Sequence, residues 1–391
     1  MRRLLLLVSS IVFVETIFFS VLLPLLPYYA DEFSLSKAQS GLLVASYAIG
    51  GVLAALPAAW LATRVGVKET VLAGLALMAS MSVIFGYAQS VWVLDLARIG
   101  QGVGAALAWT GGLTWLVAAA PRHRRGELIG IAMGAAVGGA LIGPLIGGVA
   151  DVVGTGPAFS AVAAVAVVLG VWAWMTPSFR PGEPQPLRWF FTAIREPQIA
   201  VGMWFLFVPS LLFGVLGVLA PLRLDALGLT ALGISAIFVI AAGIEAVGSP
   251  LLGRWSDRAG RLPPIRLSLI ASAALCIVLP WPDNRWVVAV LVGIASIVFV
   301  SFFVPGTALL SDGAETYWID QAFGFALLNL GWAPGHLIGS AVGGALADGL
   351  GDAGPYLILA GVCLLSLLAI QRGPMALGLR TRTKQGAAAE A

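Results

Sequence analysis

The chain has 391 residues, of which 59% are hydrophobic and only 10% charged, with a formal net charge of +3. Soluble domains carry about 25% charged residues, so this composition excludes a water-soluble globular protein and points to an all-α polytopic membrane protein. The mild basic excess gives a sequence pI near 9.1, and the placement of the basic residues, described below, removes the need for a nucleic-acid partner.

In chain order, apolar runs long enough to cross the hydrocarbon core fall at 4–27, 38–62, 69–88, 91–119, 128–150, 157–176, 198–221, 231–252, 266–281, 286–310, 321–347 and 354–371, which predicts twelve spans. The opening "MRRLLLLVSS" has the look of a secretory signal, but the run continues past Glu15 to Pro27 without an A-x-A site, so a retained first helix is expected. With the N-terminus placed in the cytoplasm, eighteen of the 22 Lys and Arg fall in cytoplasmic segments, three (Lys37, Arg223, Arg285) on the far side, and Arg98 within a span. The positive-inside rule then places both termini in the cytoplasm, and the plasma membrane is the expected location. The two cysteines, Cys276 and Cys363, lie in apolar runs, so neither a disulfide nor a metal site is expected.

The chain repeats itself. "GPLIGGVADVVG" from Gly143 returns as "GSAVGGALADGLG" from Gly339, 196 positions later, and Arg64 and Gly66 return as Arg258 and Gly260, 194 positions later. These offsets, close to half the length, predict a six-helix half at 1–176, a cytoplasmic linker at 177–197, a second six-helix half at 198–372 and a cytoplasmic tail at 373–391. Within the linker, "LRWFFTAIR" sets Trp189, Phe190, Phe191 and Ile194 beside Arg188 and Arg195, the pattern of a short helix lying on the membrane surface.

Small residues recur every four positions in the fifth span (Ala135, Gly139, Gly143, Gly147) and the eleventh (Gly331, Gly335, Gly339, Gly343, Ala347). That spacing sets them on one helix face, where backbones approach closely. The ladders glue the bundle or, on a sharper reading, form smooth faces on which the two halves rock. Pro144 and Pro334 are expected to kink these helices.

Ionisable groups inside a bilayer cost about 2.5–3.5 kcal/mol at mid-helix on insertion scales, and they normally face a cavity or a partner. Glu15, nine residues before Pro24, lies about 13 Å along a helix from it, which is mid-bilayer depth. Asp95 and Arg98, one turn apart, make a plausible ion pair. Glu245, two turns from the cytoplasmic end of the eighth span, reads either as a second proton site or as a partner of cytoplasmic arginines. His336 follows Pro334-Gly335 at mid-depth in the eleventh span. Trp109, Trp204, Phe207 and Trp332 offer π-faces to flat or lipophilic cations.

At these residues the chain resembles the major facilitator superfamily, in particular its twelve-helix drug:proton antiporter branch, with similarity also to the vesicular amine transporters. "RWSDRAGR" from Arg254 matches the family's cytoplasmic loop motif through Gly253, Asp257, Arg258, Gly260 and Arg261. "RIGQGVGAA" from Arg98 matches the fourth-helix motif, "GALIGPLIGGV" from Gly139 the fifth-helix antiporter motif, and "PLLP" at 24–27 the first-helix ending. In the first half Thr63 and Val67 stand where the loop motif has Asp and Arg, so the charge-based latch that the resemblance implies rests on Asp257, Arg258 and Arg261, with Arg64 opposite.

The resemblance implies a central substrate cavity between the halves, exposed alternately to each side. Vesicular amine transporters have an acidic residue at the position of Glu15 that serves amine recognition, and "AWTGGLTWL" from Ala108 resembles their fourth helix. Asn329 falls where they carry an aspartate, so Glu15 acts with Glu245 or one charge fewer moves. The expectation is a proton-coupled exporter of lipophilic cations, with Glu15 alternating between proton and substrate under the influence of Arg98, working as a monomer without cofactor or metal. The alternatives are an exporter or proton symporter of a neutral solute such as a sugar, and a non-transporting membrane sensor. No P-loop and no H-E-x-x-H occur, and nothing supplies a nucleophile–base pair, so an enzyme is not expected.

Overall fold

The computed structural model describes residues 1–121, 124–178 and 185–372. Arg122, Arg180, most of the linker's N-terminal part and the tail at 373–391 lie outside the described residues. Fifteen α-helices and one 3-10 turn follow one another, with no strand among the described residues: α1 (Arg2–Ser20), the 3-10 turn (Leu23–Leu25), α2 (Leu26–Glu32), α3 (Lys37–Arg64), α4 (Val67–Gly86), α5 (Val91–Ala119), α6 (Arg125–Val153), α7 (Thr155–Met175), α8 (Leu187–Ile194), α9 (Pro197–Ala226), α10 (Ala231–Ala259), α11 (Leu262–Val278), α12 (Arg285–Val300), α13 (Phe303–Thr316), α14 (Gln321–Leu350) and α15 (Ala353–Arg372).

Every predicted span has its helix. Among the described residues, ten helical crossings are long and apolar enough to traverse a membrane. The remaining two predicted spans are α11, a shorter apolar helix of 17 residues, and α14, whose 30 residues include Asn329, His336 and Asp348. Exposed tryptophans sit at both levels where spans end: Trp92, Trp281 and Trp286 at one, Trp60, Trp174 and Trp189 at the other. Indole rings favour such interfaces.

Two spans are broken where the hydropathy pattern predicts continuous helix. The first stops at Ser20 and resumes through the 3-10 turn and α2; the tenth stops at Val300 and resumes at Phe303. Each break sits four residues before a proline, Ser20 before Pro24 and Ser301 before Pro305. A proline ring clashes with the carbonyl four positions back and offers no N–H to it. By contrast α6 and α14 run on through Pro144 and Pro334 as single helices.

The glycine ladders correct one expectation. A Cβ on Gly139, Gly143 or Gly147 of α6 would meet the Phe13 carbonyl, Ser20 Oγ or the Val21 carbonyl, all on the first span, with Pro144 buried in the same stretch. On α14, Gly335 and Gly339 lie against the Phe207 and Leu211 carbonyls of α9, and Gly343 against Val215. Each ladder therefore joins two helices of one expected half, and neither lies between halves as a rocking surface. Missing side chains bring backbones into contact there, and in lipid that close packing is what holds helices together.

Other elements meet across the middle. Helix α3 lies along α14, with Gly41 against the Ser340 carbonyl, Gly344 against the Lys37 carbonyl and Gly51 near Ala333. At the end of the bundle away from the termini, the N–H groups of Lys37 and Ala38 donate to the Asp348 carboxylate at 3.1 and 2.9 Å, and Lys37 Nζ pairs with Asp352. Helices α6 and α10 also touch there, Gly148 against Ser235 and Leu232, and Leu141 reaches Gly243 at mid-length. Further toward the termini they part: a Cβ on Gly126, Gly130 or Gly134 would meet nothing within 4 Å. Contacts across the middle are closest at one end, and α6 is bare toward the other.

The linker helix α8 buries Phe190 and Ala193 and exposes Leu187, Trp189 and Phe191. Phe190 packs on Phe323 of α14, and Gln185 bonds the turn before α14 through the Trp318 carbonyl and the Asp320 N–H.

Candidate functional site

At mid-length of α1, Glu15 is half-buried. Tyr47 of α3 donates its phenol O–H to Glu15 Oε1 at 2.7 Å, and Thr16 Oγ1 lies 3.3 Å from Oε2. Glu15 has no cationic partner among the described residues. A carboxylate with only neutral hydroxyl partners, Tyr47 and Thr16, keeps lone pairs open for a proton or an incoming cation.

Arg98 of α5 stands one step away. Its Nη1 donates to the Phe18 carbonyl at 2.7 Å and to Gln101 Oε1 at 2.9 Å, and Nη2 reaches the Phe19 carbonyl at 3.4 Å. Its guanidinium lies over the Tyr47 ring, 4.7 Å from the centroid, and 5.8 Å from that of Phe85. Gln101 Nε2 donates in turn to Ser82 Oγ at 2.9 Å. The expected Asp95–Arg98 ion pair is absent: Asp95 Oδ1 accepts from Ser46 Oγ of α3 at 3.0 Å, and Arg98 points instead to the carbonyls that the end of α1 leaves unpaired. The free carbonyls follow from the break at Ser20, since the last turn of a helix has no downstream N–H groups to take.

An aromatic group closes the site from the other side. Phe19 meets Tyr47 at 5.5 Å, Trp332 at 5.3 Å and His336 at 5.2 Å between ring centroids, while Trp332 and His336 of α14 stack at 5.2 Å. Both His336 nitrogens and the Asn329 amide nitrogen are buried without a partner. Unpaired buried polar groups are costly. The structure thus brings together Glu15, Arg98, Trp332 and His336, and adds Tyr47, Phe19, Gln101 and Ser82, which the sequence reading passed over. A tyrosine is ordinary in an apolar span, and no spacing linked position 47 to position 15.

The other candidates lie elsewhere. Trp204 stacks on Phe207 at 5.5 Å and donates Nε1 to Ser366 Oγ of α15 at 3.1 Å, so its indole N–H is engaged within the C-terminal helices. Trp109 is half-buried on α5 against the N-terminal helices. Glu245, half-buried on α10, makes no ion pair with an arginine among the described residues, so the reading that tied it to cytoplasmic arginines finds no pair here. At the end of α10, Asp257 accepts from Arg261 at 2.8 Å, one turn on, while Arg64 and Arg258 are exposed. None of these expected latch residues forms an ion pair with another helix among the described residues. Gly66 and Gly260, matched in the repeat, both take positive φ, +144° and +84°, a conformation glycine adopts without strain.

At the end away from the termini a pocket of about 510 Å³ is lined by Asp31, Glu32, Asp151 and Asp225 among others. It is a second acidic feature that the sequence pattern did not single out.

Comparison with known proteins agrees with this architecture. The model of the Major Facilitator Superfamily matches residues 8–325 and 206–389. The MFS-type transporter ppzB of Metarhizium rileyi is 30% identical over 123 residues, a stretch covering 30% of this chain and 26% of that one. The quinolone resistance protein NorA of Staphylococcus aureus is 24% identical over 341 residues, 84% of this chain and 86% of NorA. The crystal structure of a D-xylose-proton symporter superposes with a TM-score of 0.71 at 15% identity, covering 96% of this chain and 98% of the symporter. The twelve-span helical fold and the motif resemblance are borne out together: the chain belongs to the Major Facilitator Superfamily.

Proposed function

We propose that this transporter exports lipophilic, cationic small molecules in exchange for protons, as a monomer in the plasma membrane with both termini in the cytoplasm. The observation that carries this reading is Glu15: a carboxylate at mid-span, half-buried, with Tyr47 as its close donor and no cation beside it. Proton and substrate cation compete for that one group, and competition is sufficient for exchange. Phe19 and Trp332 present ring faces beside it, which suit a desolvated cation. The likeness to a quinolone resistance protein over most of the chain supports export of a drug-like molecule. In this reading the closely packed end faces outward and the bundle opens to the cytoplasm beside α6. The two six-helix halves move relative to each other, and Asp257, Arg258, Arg261 and Arg64 latch the opposite state. Glu245, without a partner here, serves as a second proton site.

A second reading has one observation in its favour. The unpaired Asn329 amide and His336 imidazole also suit the hydroxyls of a neutral solute, and the fold is shared with a sugar symporter.

The test uses proteoliposomes with an imposed pH gradient and a pH-sensitive dye inside, challenged with lipophilic cations and neutral sugars. Cation-triggered proton movement in the wild type, lost in Glu15→Gln, is the expected result. A response to sugars alone, or an equal response to cations in both proteins, overturns the cation reading.

A further inference from the structure

We infer that Tyr47 is the positioning residue that holds the Glu15 carboxyl in both of its charge states, at the junction of α1, α3 and α5. The inference rests on the reading of Glu15 as the exchangeable charge and names the group that orients it.

Tyr47 is 3% exposed and stands at a three-helix junction. Its oxygen meets Glu15 of α1, and its ring lies under the guanidinium of Arg98 of α5. Arg98 in turn grips the carbonyls of Phe18 and Phe19, on the same helix as Glu15. The backbone of Tyr47 cannot drift from α5, because its carbonyl faces Gly102 and neighbouring Gly50 faces the Ile99 carbonyl, at approaches that leave no room for a Cβ. The other face of α3 carries the Gly41–Ser340 and Gly51–Ala333 contacts with α14. Phe19 links the Tyr47 ring to Trp332 and His336 of α14.

The phenol serves both states of the carboxyl. When Glu15 is ionised, alone or paired with a substrate cation, Tyr47 donates its O–H to Oε1. When Glu15 takes a proton from cavity water, its own O–H donates to the phenol oxygen, and the Tyr47 hydrogen turns away. Tyr47 keeps its proton throughout and only the direction of one hydrogen bond reverses. Charged and titratable groups near this junction are few. Arg98 and Asp95 lie on α5 and His336 on α14, α6 is charged only at Arg125, Glu127 and Asp151, and α7 carries no charge.

Tyr47→Phe removes the oxygen and leaves the ring under Arg98. Infrared difference spectra of purified protein in lipid, taken between acid and alkaline pH, read the junction without any substrate. The Glu15 carboxyl band, identified by its loss in Glu15→Gln, is expected to be accompanied by a tyrosine C–O band that vanishes in Tyr47→Phe. In proteoliposomes the variant is expected to lose about tenfold in turnover, the effect of one hydrogen bond to a charged group, while KM for a lipophilic cation stays within about threefold. A Glu15 band unaccompanied by any Tyr47 change, or turnover in Tyr47→Phe within about twofold of wild type, overturns the inference. Thermal unfolding of the variant at the wild-type temperature shows that the fold is intact. Should the wild type move no protons on cation addition, the antiport reading falls, and the infrared pair still decides Tyr47 by itself.

Discussion

Arg98 is a cation buried in the bundle, 1% exposed, whose partners are two carbonyls, an amide oxygen and two ring faces. A guanidinium fork fits that set and an ammonium does not. Arg98→Lys is therefore expected to lower turnover by about tenfold or more and to lower the unfolding temperature, read by transport assay and thermal denaturation in detergent. Asp95→Asn should behave differently. Asp95 accepts from Ser46 and does not face Arg98, and an amide oxygen also accepts, so transport is expected within about twofold of wild type. A large loss in Asp95→Asn would restore the ion pair. The sequence placed Asp95 and Arg98 three residues apart in one apolar run, and both lie on α5. Their partners depended on helices distant in sequence, α3 for one and the broken end of α1 for the other.

The helices divide into faces that are packed in this state and faces that are bare. Gly143 of α6 has Ser20 Oγ and the Ile17 carbonyl where a side chain would go, whereas Gly134, on the same helix, has open space. Gly143→Val is expected to cost about 1–3 kcal/mol by overpacking, seen as a lower unfolding temperature. Gly134→Val should leave that temperature unchanged and slow transport, because the bare stretch of α6 must meet another helix when the opening closes. Equal stability loss in both would mean that the α6 face is not open in lipid. The four-residue spacing marked Gly139, Gly143 and Gly147 as a packing face from sequence alone. Which helix they pack on was beyond it, since close approach satisfies the same pattern with any neighbour.

At the end away from the termini, Asp348 of α14 accepts from the first N–H groups of α3. A carboxylate at a helix N-terminus satisfies orphan donors and the helix dipole together. Asp348→Ala should weaken this contact by about 1 kcal/mol, enough to raise the population open at that end several-fold. Spin labels at Glu32 and Gly349 would report a longer distance component. An unchanged distribution would assign closure to the glycine contacts of α3 with α14 instead.

Composition and hydropathy determined that the protein is a helical membrane bundle, and the twelve apolar runs fixed where its helices lie, because in lipid each backbone must bond within its own segment. The motifs at Arg98, Gly139 and Gly253 were enough to name the superfamily, and the cost of burying a charge was enough to single out Glu15. Tertiary structure alone decided the rest. It chose Tyr47 as the donor to Glu15, turned Arg98 from Asp95 to the carbonyls of α1, sent Trp204 toward α15, and put each glycine ladder inside one expected half. Those outcomes depend on which helices become neighbours, and a periodicity of 3.6 residues specifies the face of a helix without specifying what it meets.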